Sequence, residues 1–211
     1  MALHRSEAAQ MQYIDGIRPD VKALQIQLQK IEEGGVHGES KFLCEAIKQA
    51  CEAALKGNYG IGAVVVRGDS IVGRGQNRLG EVTHPLHHVL HAEMDALGNF
   101  HEQVLPDQRG SYDQLLVCTT LEPCPMCTCG LFNAGIKTVL AGALDPWAGQ
   151  LISHPQKMPP LWPELLKSTG TVHRLVCFDH GHGDGADTLP NLCNRIFMIT
   201  KEALDSVLTE Q

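Results

Sequence analysis

Apolar residues recur at helical spacing from Asp20 onward, with Val21, Leu24, Leu28 and Ile31 on one stripe. Asp20 is placed to cap the start, and Gly34-Gly35 and Gly38 to end it, whereas residues 1–19 show little pattern and close at Arg18-Pro19. A second stripe, Leu43, Ala46, Ile47, Ala50, Cys51 and Ala54, predicts a helix over Ser40 to Lys56 that stops at Gly57-Asn58. The pattern then changes. Ile61 to Val66 is apolar on both faces, as expected of a central strand covered by helices, and Arg67-Gly68-Asp69-Ser70 turns it into a second strand over Ile71 to Gly75. A loop over 77–90 leads to a helix over His91 to Phe100 and a polar connection over 101–113. Leu115 to Thr119 reads as a third strand, Pro125 to Ala134 as a helix capped by Gly135, and Lys137 to Ala141 as a fourth strand. A helix over Leu161 to Ser168, a fifth strand over Val172 to Phe178 and a closing helix over Lys201 to Leu208 complete the chain.

Helices alternating with strands in this order predict an α/β fold: a three-layer α/β/α sandwich around a five-stranded mixed sheet. The helix between strands 4 and 5 predicts that they are parallel, through a right-handed crossover. At 211 residues the chain suits one main domain with short extensions. The expected division is an N-terminal extension over 1–37, a catalytic domain over 38–180, and a C-terminal loop and helix over 181–211.

Charge narrows the partners. A net charge of −7 without a lysine or arginine run speaks against a nucleic-acid backbone as main ligand. The start of the chain shows no signal-peptide pattern and no apolar run reaches membrane-span length, so the expected setting is cytoplasmic with no membrane contact. In that setting, five of the eight cysteines (Cys44, Cys51, Cys118, Cys177 and Cys193) fall in apolar patterns and read as buried reduced thiols.

The chemistry lies in two short stretches, His91-Ala92-Glu93 and Pro123-Cys124-Pro125-Met126-Cys127. Two thiolates and one imidazole leave a fourth position open, which describes a catalytic zinc site rather than a closed structural one. A helix start also favours thiolate over thiol at Cys124 and Cys127. Cys129 follows Cys127 by two positions, turned about 200° away on a helix, and is therefore left off the metal. Glu93 is the carboxylate that ligates nothing. Zinc on His91, Cys124 and Cys127, one ion per subunit, would make water nucleophilic, and Glu93 would carry protons to a ring nitrogen and a departing amine. The pattern H-x-E…P-C-x-x-C is a known signature of zinc deaminases. Taken singly, each residue also fits a blander role: a surface histidine, a solvated glutamate, a redox pair. A zinc-stabilised scaffold without catalysis is the alternative from a different class.

The chain resembles the cytidine deaminase-like superfamily, in the branch of tRNA adenosine deaminases, guanine deaminases and the deaminase half of the riboflavin enzyme. The likeness rests on Gly62-Ala63-Val64-Val65-Val66, Gly75-Gln76-Asn77-Arg78, His91-Ala92-Glu93, Thr120 to Cys127 and Ala141 to Pro146, spanning about residues 40–150. It implies that Asn77 bonds the substrate base and that the backbone near Ala92 and Cys124 meets its polar edge. Asp145-Pro146-x-Ala148-Gly149 is similar to the tRNA adenosine deaminase pattern, and the bulky His84 to Leu90 loop and acidic C-terminus depart from it. Asp145 and Trp147 are expected beside the substrate, Trp147 as a stacking ring. His88, with His84 and His87, is expected at the pocket mouth, Glu122 to order the turn before Cys124, and Asp179 to Asp184 to form a lid. The expected activity is hydrolytic deamination of a free base or nucleoside, purine-like, by a homodimer. A tRNA adenosine deaminase and a cytosine or nucleotide deaminase are the enzyme alternatives.

Overall fold

The computed structural model describes residues 7–81, 83–149, 151–176 and 188–209. Its elements run α1 (Glu7–Glu33), α2 (Ser40–Leu55), β1 (Gly62–Arg67), β2 (Ser70–Gln76), α3 (Ala92–Gln103), β3 (Leu115–Leu121), α4 (Pro125–Asn133), β4 (Thr138–Ala143), α5 (Leu161–Thr169), β5 (Val172–Leu175) and α6 (Leu189–Thr209). Among the described residues the strands form one sheet in the order β2-β1-β3-β4-β5. β1 is antiparallel to both β2 and β3, and β3, β4 and β5 are parallel to one another. The parallel pairing of the fourth and fifth strands is as the sequence predicts.

Alternation along β1 sorts the core into two faces. Val64 and Val66 join Cys118 and Leu140 beneath α1, α2 and α6. Ala63 and Val65 join Val117 and Val139 beneath α3 and Leu131 of α4. This is the expected three-layer sandwich. On the second face α3 lies directly on β2. A Cβ at Gly75 would overlap the backbone of Ala92 and Ala96, so only glycine allows α3 to seat its first turn this close to the sheet. That contact sets the depth of His91 and Glu93.

Two helices are longer than the sequence pattern predicts. α1 starts at Glu7, not Asp20, and continues through Pro19. Ile17 and Tyr13 extend the buried stripe of Val21, Leu24 and Leu28 one and two turns upstream. Pro19 is exposed, so the carbonyl that loses its helical N–H partner faces water. The lost bond costs about 3 kcal/mol, and burying Tyr13 and Ile17 at about 1.5–3 kcal/mol each offsets it. α6 starts at Leu189 rather than Lys201, because Leu189, Leu192, Cys193, Ile196 and Leu204 form one buried stripe. The Thr200 hydroxyl accepts a bond from Gly60 N at 2.8 Å, tying α6 to the loop before β1.

β5 ends at Leu175, short of Phe178, although Val176 N still donates to Ala141 O. Residues 177–187, with Cys177 and the Asp179–Asp184 loop, lie outside the described residues. The seven described cysteines are free thiols, and Cys44, Cys51, Cys118 and Cys193 are buried. Among the described residues no helix is long and apolar enough to cross a membrane.

Candidate active site

Both metal-ligand stretches sit where a chain enters a helix. His91 is the N-cap of α3, with extended φ −69° and ψ 162°. Cys124 is the N-cap of α4, with φ −68° and ψ 171° and Pro125 immediately inside. The extended cap turns His91 toward the side chain two positions on, which a regular helix would hold apart, and Cys124 toward Cys127 three positions on. The free N–H groups and positive ends of two helices therefore lie near the ligand atoms.

His91, Cys124 and Cys127 each bring one donor atom, and the three lie within 4.8 Å of one another. Cys124 Sγ is 3.6 Å from His91 Nδ1. Zinc bonds of about 2.3 Å to sulfur and 2.0–2.1 Å to nitrogen at a tetrahedral angle require about that separation. The residues present thus fit a zinc ion. Cys129 lies outside this cluster, as its spacing predicts.

The titration of the cluster has the same character. The Cys127 thiol donating to Cys124 outweighs burial, and with the His91 contact holds the Cys124 thiol down to about 4. Cys127, as the donor in that pair and deeply buried, is held up instead. A divalent cation favours thiolate at both. Burial opposes the charge on His91, but its bond to Cys124 wins and raises it. Glu93 is 3% exposed, and burial raises its carboxyl above the usual range. Its nearest hydroxyl is Thr119, whose Oγ1 donates to Oε1 at 3.5 Å.

A cavity of about 210 Å³ opens at the carboxyl ends of β3 and β4, with His91, Glu93 and Cys124 in its wall. Asn77, Asp145 and Trp147 line the same cavity. Asn77 is held by its N–H on Ile61 O at 3.0 Å, and its Oδ1 accepts from Leu79 N at 3.1 Å. Asp145 Oδ1 accepts from Trp147 N at 2.9 Å and Ala148 N at 3.0 Å, so it shapes the turn that carries Trp147. Ala92 is buried in the first turn of α3 and is not a wall residue, and His88 is exposed with its ring edge against His87. The cavity wall includes none of the histidines at 84, 87 and 88.

Glu122 does more than order its own turn. Its buried carboxylate accepts from Ile152 N at 2.7 Å, Ser153 N at 3.0 Å and the Ser153 hydroxyl, and reaches Asp145 N at 3.4 Å. A Cβ at Gly149 would overlap that carboxylate, so the loop can close over it only with glycine there. Glu122 thus pins Asp145 at one end of this loop and Ile152 and Ser153 at the other, beside the metal cluster.

Four further residues belong to the site. Tyr59, Phe197 and Lys201 line the cavity. Asp95 lies behind it, accepting from Gln76 N at 2.9 Å and Arg78 Nε at 2.8 Å, the two neighbours of Asn77. Phe197 and Lys201 become predictable only once α6 is read as starting at Leu189. No local pattern singles out Asp95, whose helical neighbours are His91, Ala92, Gly98 and Asn99.

The model of the family described as "Cytidine and deoxycytidylate deaminase zinc-binding region" matches residues 37–143. The chain is 32% identical over 119 residues to a tRNA-specific adenosine deaminase of Aquifex aeolicus, covering 55% of this chain and 73% of that one. To the Bacillus subtilis protein of the same name it is 34% identical over 115 residues, 51% of this chain and 63% of that one. To a probable cytosine deaminase of Schizosaccharomyces pombe it is 28% identical over 124 residues, 57% and 70%. A solved guanine deaminase from Nitrosomonas europaea shares the fold at a TM-score of 0.55 and 15% identity, over 81% of this chain and 86% of that one. The matched segment opens just before α2, passes through both metal-bearing helix starts and ends with β4, and the chain accordingly belongs to the zinc-dependent cytidine and deoxycytidylate deaminase family.

Proposed function

We propose that the protein hydrolytically deaminates a free heterocyclic base or nucleoside, purine-like, with Glu93 as the proton carrier. The observation that carries this is a buried carboxylate, itself no member of the ligand cluster, sharing one small cavity with that cluster. A structural zinc has no use for such a group. His91, Cys124 and Cys127 would hold a zinc ion, which would supply the Lewis acidity that makes water nucleophilic near neutral pH.

Glu93 takes a proton from the attacking water and passes it to the ring nitrogen beside the reacting carbon. The water oxygen bonds that carbon, which becomes tetrahedral. Glu93 then carries the second proton to the exocyclic amine. The C–N bond breaks with its electron pair leaving on ammonia, and the carbonyl forms. The sum is C–NH2 + H2O → C=O + NH3. Asn77 orients the ring through its amide, and Trp147 covers one ring face. Asp145 acts through the turn that holds Trp147 in place.

A small cavity and a net charge of −7 support a small-molecule substrate. The second reading, deamination of adenosine in a tRNA loop, draws support from the names of the relatives from Aquifex aeolicus and Bacillus subtilis. The reading includes a deaminase domain over 38–180 with extensions at either end, a cytoplasmic setting, and a homodimer joined through the metal-bearing helices. The test is ammonia release by the zinc-loaded protein from guanine, adenine, cytosine, their nucleosides and nucleotides, aminopterins and a tRNA anticodon stem-loop. Release from a base or nucleoside supports the reading, and release from the stem-loop alone overturns it in favour of the second.

A further inference from the structure

The outer wall of the cavity comes from α6, beyond the segment matched by the family model. Phe197 and Lys201 are four residues apart on that helix, so they share a face, and both line the cavity. Trp147 lies 5.8 Å from Phe197, and Phe197 lies 6.3 Å from Tyr59, ring centre to ring centre. Lys201 Nζ sits 5.1 Å from the centre of the Trp147 ring. Three aromatic rings thus form a row that ends under an ammonium. Exposure grades the site from floor to mouth: Cys127 is 0% exposed, Glu93 3% and Trp147 53%.

The charges in the wall are not equally available to a ligand. Glu122 is engaged by the backbone of residues 152 and 153, and Asp145 by that of 147 and 148. Glu93 belongs to the metal end. Lys201 is the one lysine or arginine among the described wall residues. Its partner one turn on, Asp205, takes one of three ammonium donors and fixes the head group, with the Lys201 side chain 27% exposed. An ammonium so held at the cavity mouth keeps donors free for an anion.

We propose that Lys201 is an anion-reading subsite, and that the substrate is an aminated ring carrying a phosphate or carboxylate substituent. This rests on the zinc deaminase reading above and narrows its substrate from a neutral base or nucleoside to an anionic derivative of one. The ring lies along Tyr59, Phe197 and Trp147 with its reacting carbon toward Glu93, and the anion reaches Lys201 at the mouth.

The test uses the full-length zinc-loaded protein with Glu93→Gln to block turnover and Trp162→Phe to leave Trp147 as the sole tryptophan of two. Trp147 fluorescence is titrated with an aminopurine nucleoside, its 5′-monophosphate, a neutral aminopteridine and its ring carboxylate. The expected result is that at least one anionic compound binds about tenfold more tightly than its neutral parent, a difference of about 1.4 kcal/mol. Lys201→Gln erases that preference, while Lys201→Arg keeps it. A preference for the monophosphate or for the carboxylate each supports the subsite and says which anion it takes. Equal binding of neutral and anionic compounds, a preference that survives Lys201→Gln, or no response to any compound overturns it. Ammonia release by the unmutated protein is followed alongside. Lys201-dependent binding without release from any compound overturns the deaminase reading and keeps the subsite. Release without a Lys201 effect does the reverse.

Discussion

Replacing Glu122 by glutamine tests how the 145–153 loop is held. The carboxylate accepts from Ile152 N, Ser153 N and the Ser153 hydroxyl, and more distantly from Asp145 N. Glutamine keeps one acceptor oxygen and turns an NH2 toward N–H and O–H donors that need an acceptor. About two charge-assisted bonds are lost, each contributing about 1.5–3 kcal/mol when well buried. Ile152 and Ser153 are half-buried, so water recovers part of the loss, and about 2–3 kcal/mol is expected. That is a large share of the roughly 5–15 kcal/mol typical of a whole domain. Urea unfolding reads it directly: with a slope of about 2 kcal/mol per molar, the midpoint falls by about 1–1.5 M. Because the same loop carries Asp145 and Trp147, kcat/KM on the identified substrate falls as well. A stability loss below about 0.5 kcal/mol together with unchanged kcat/KM would refute the claim that Glu122 organises this loop.

Two other substitutions probe the frame around the site. Asp95→Asn breaks the ion pair with Arg78 and weakens the hold on Gln76, freeing Asn77 between them. KM should rise about tenfold with kcat and zinc content little changed, and an unchanged KM contradicts the role assigned to Asn77. His173 on β5 has both ring nitrogens buried without a partner among the described residues, and burial pushes its pKa down to about 4. The unfolded histidine takes up a proton near pH 6.5 and the folded one does not, so stability falls as pH drops from about 6.5 toward 4. The loss is about 2 kcal/mol at pH 5, and His173→Phe should remove it from a comparison of urea midpoints at pH 7 and pH 5. The same pH dependence in both proteins would show that His173 is not its source.

Legibility in the sequence followed locality. His91, Glu93, Cys124 and Cys127 are readable because each pair is close in sequence at a helix start and carries chemistry that few other arrangements need. β1 reads correctly because its unbroken apolar run has few alternatives. Pro19 masks the first turns of α1, since the rule that proline ends helices ignores a helix whose proline faces water. α6 is hidden differently: its stripe of Leu189, Leu192, Cys193 and Ile196 follows a glycine-rich loop and mixes in Asn191, Asn194 and Arg195. Phe197 and Lys201 then reach the cavity through long-range packing of α6 on α1, α2, β3 and β4. Glu122 and Asp95 act at a distance in sequence, through loops whose course no local pattern reveals.

The central claim, that a metal cluster and a separate carboxylate perform a hydrolytic deamination, is tested most directly with Glu93→Gln. Zinc per chain and ammonia release are measured on the same preparation. The variant should hold about one zinc per chain, as the unmutated protein does, with turnover reduced by a factor on the order of 10² to 10⁴. A variant that still releases ammonia at the original rate, or one that loses its zinc along with its activity, would contradict it.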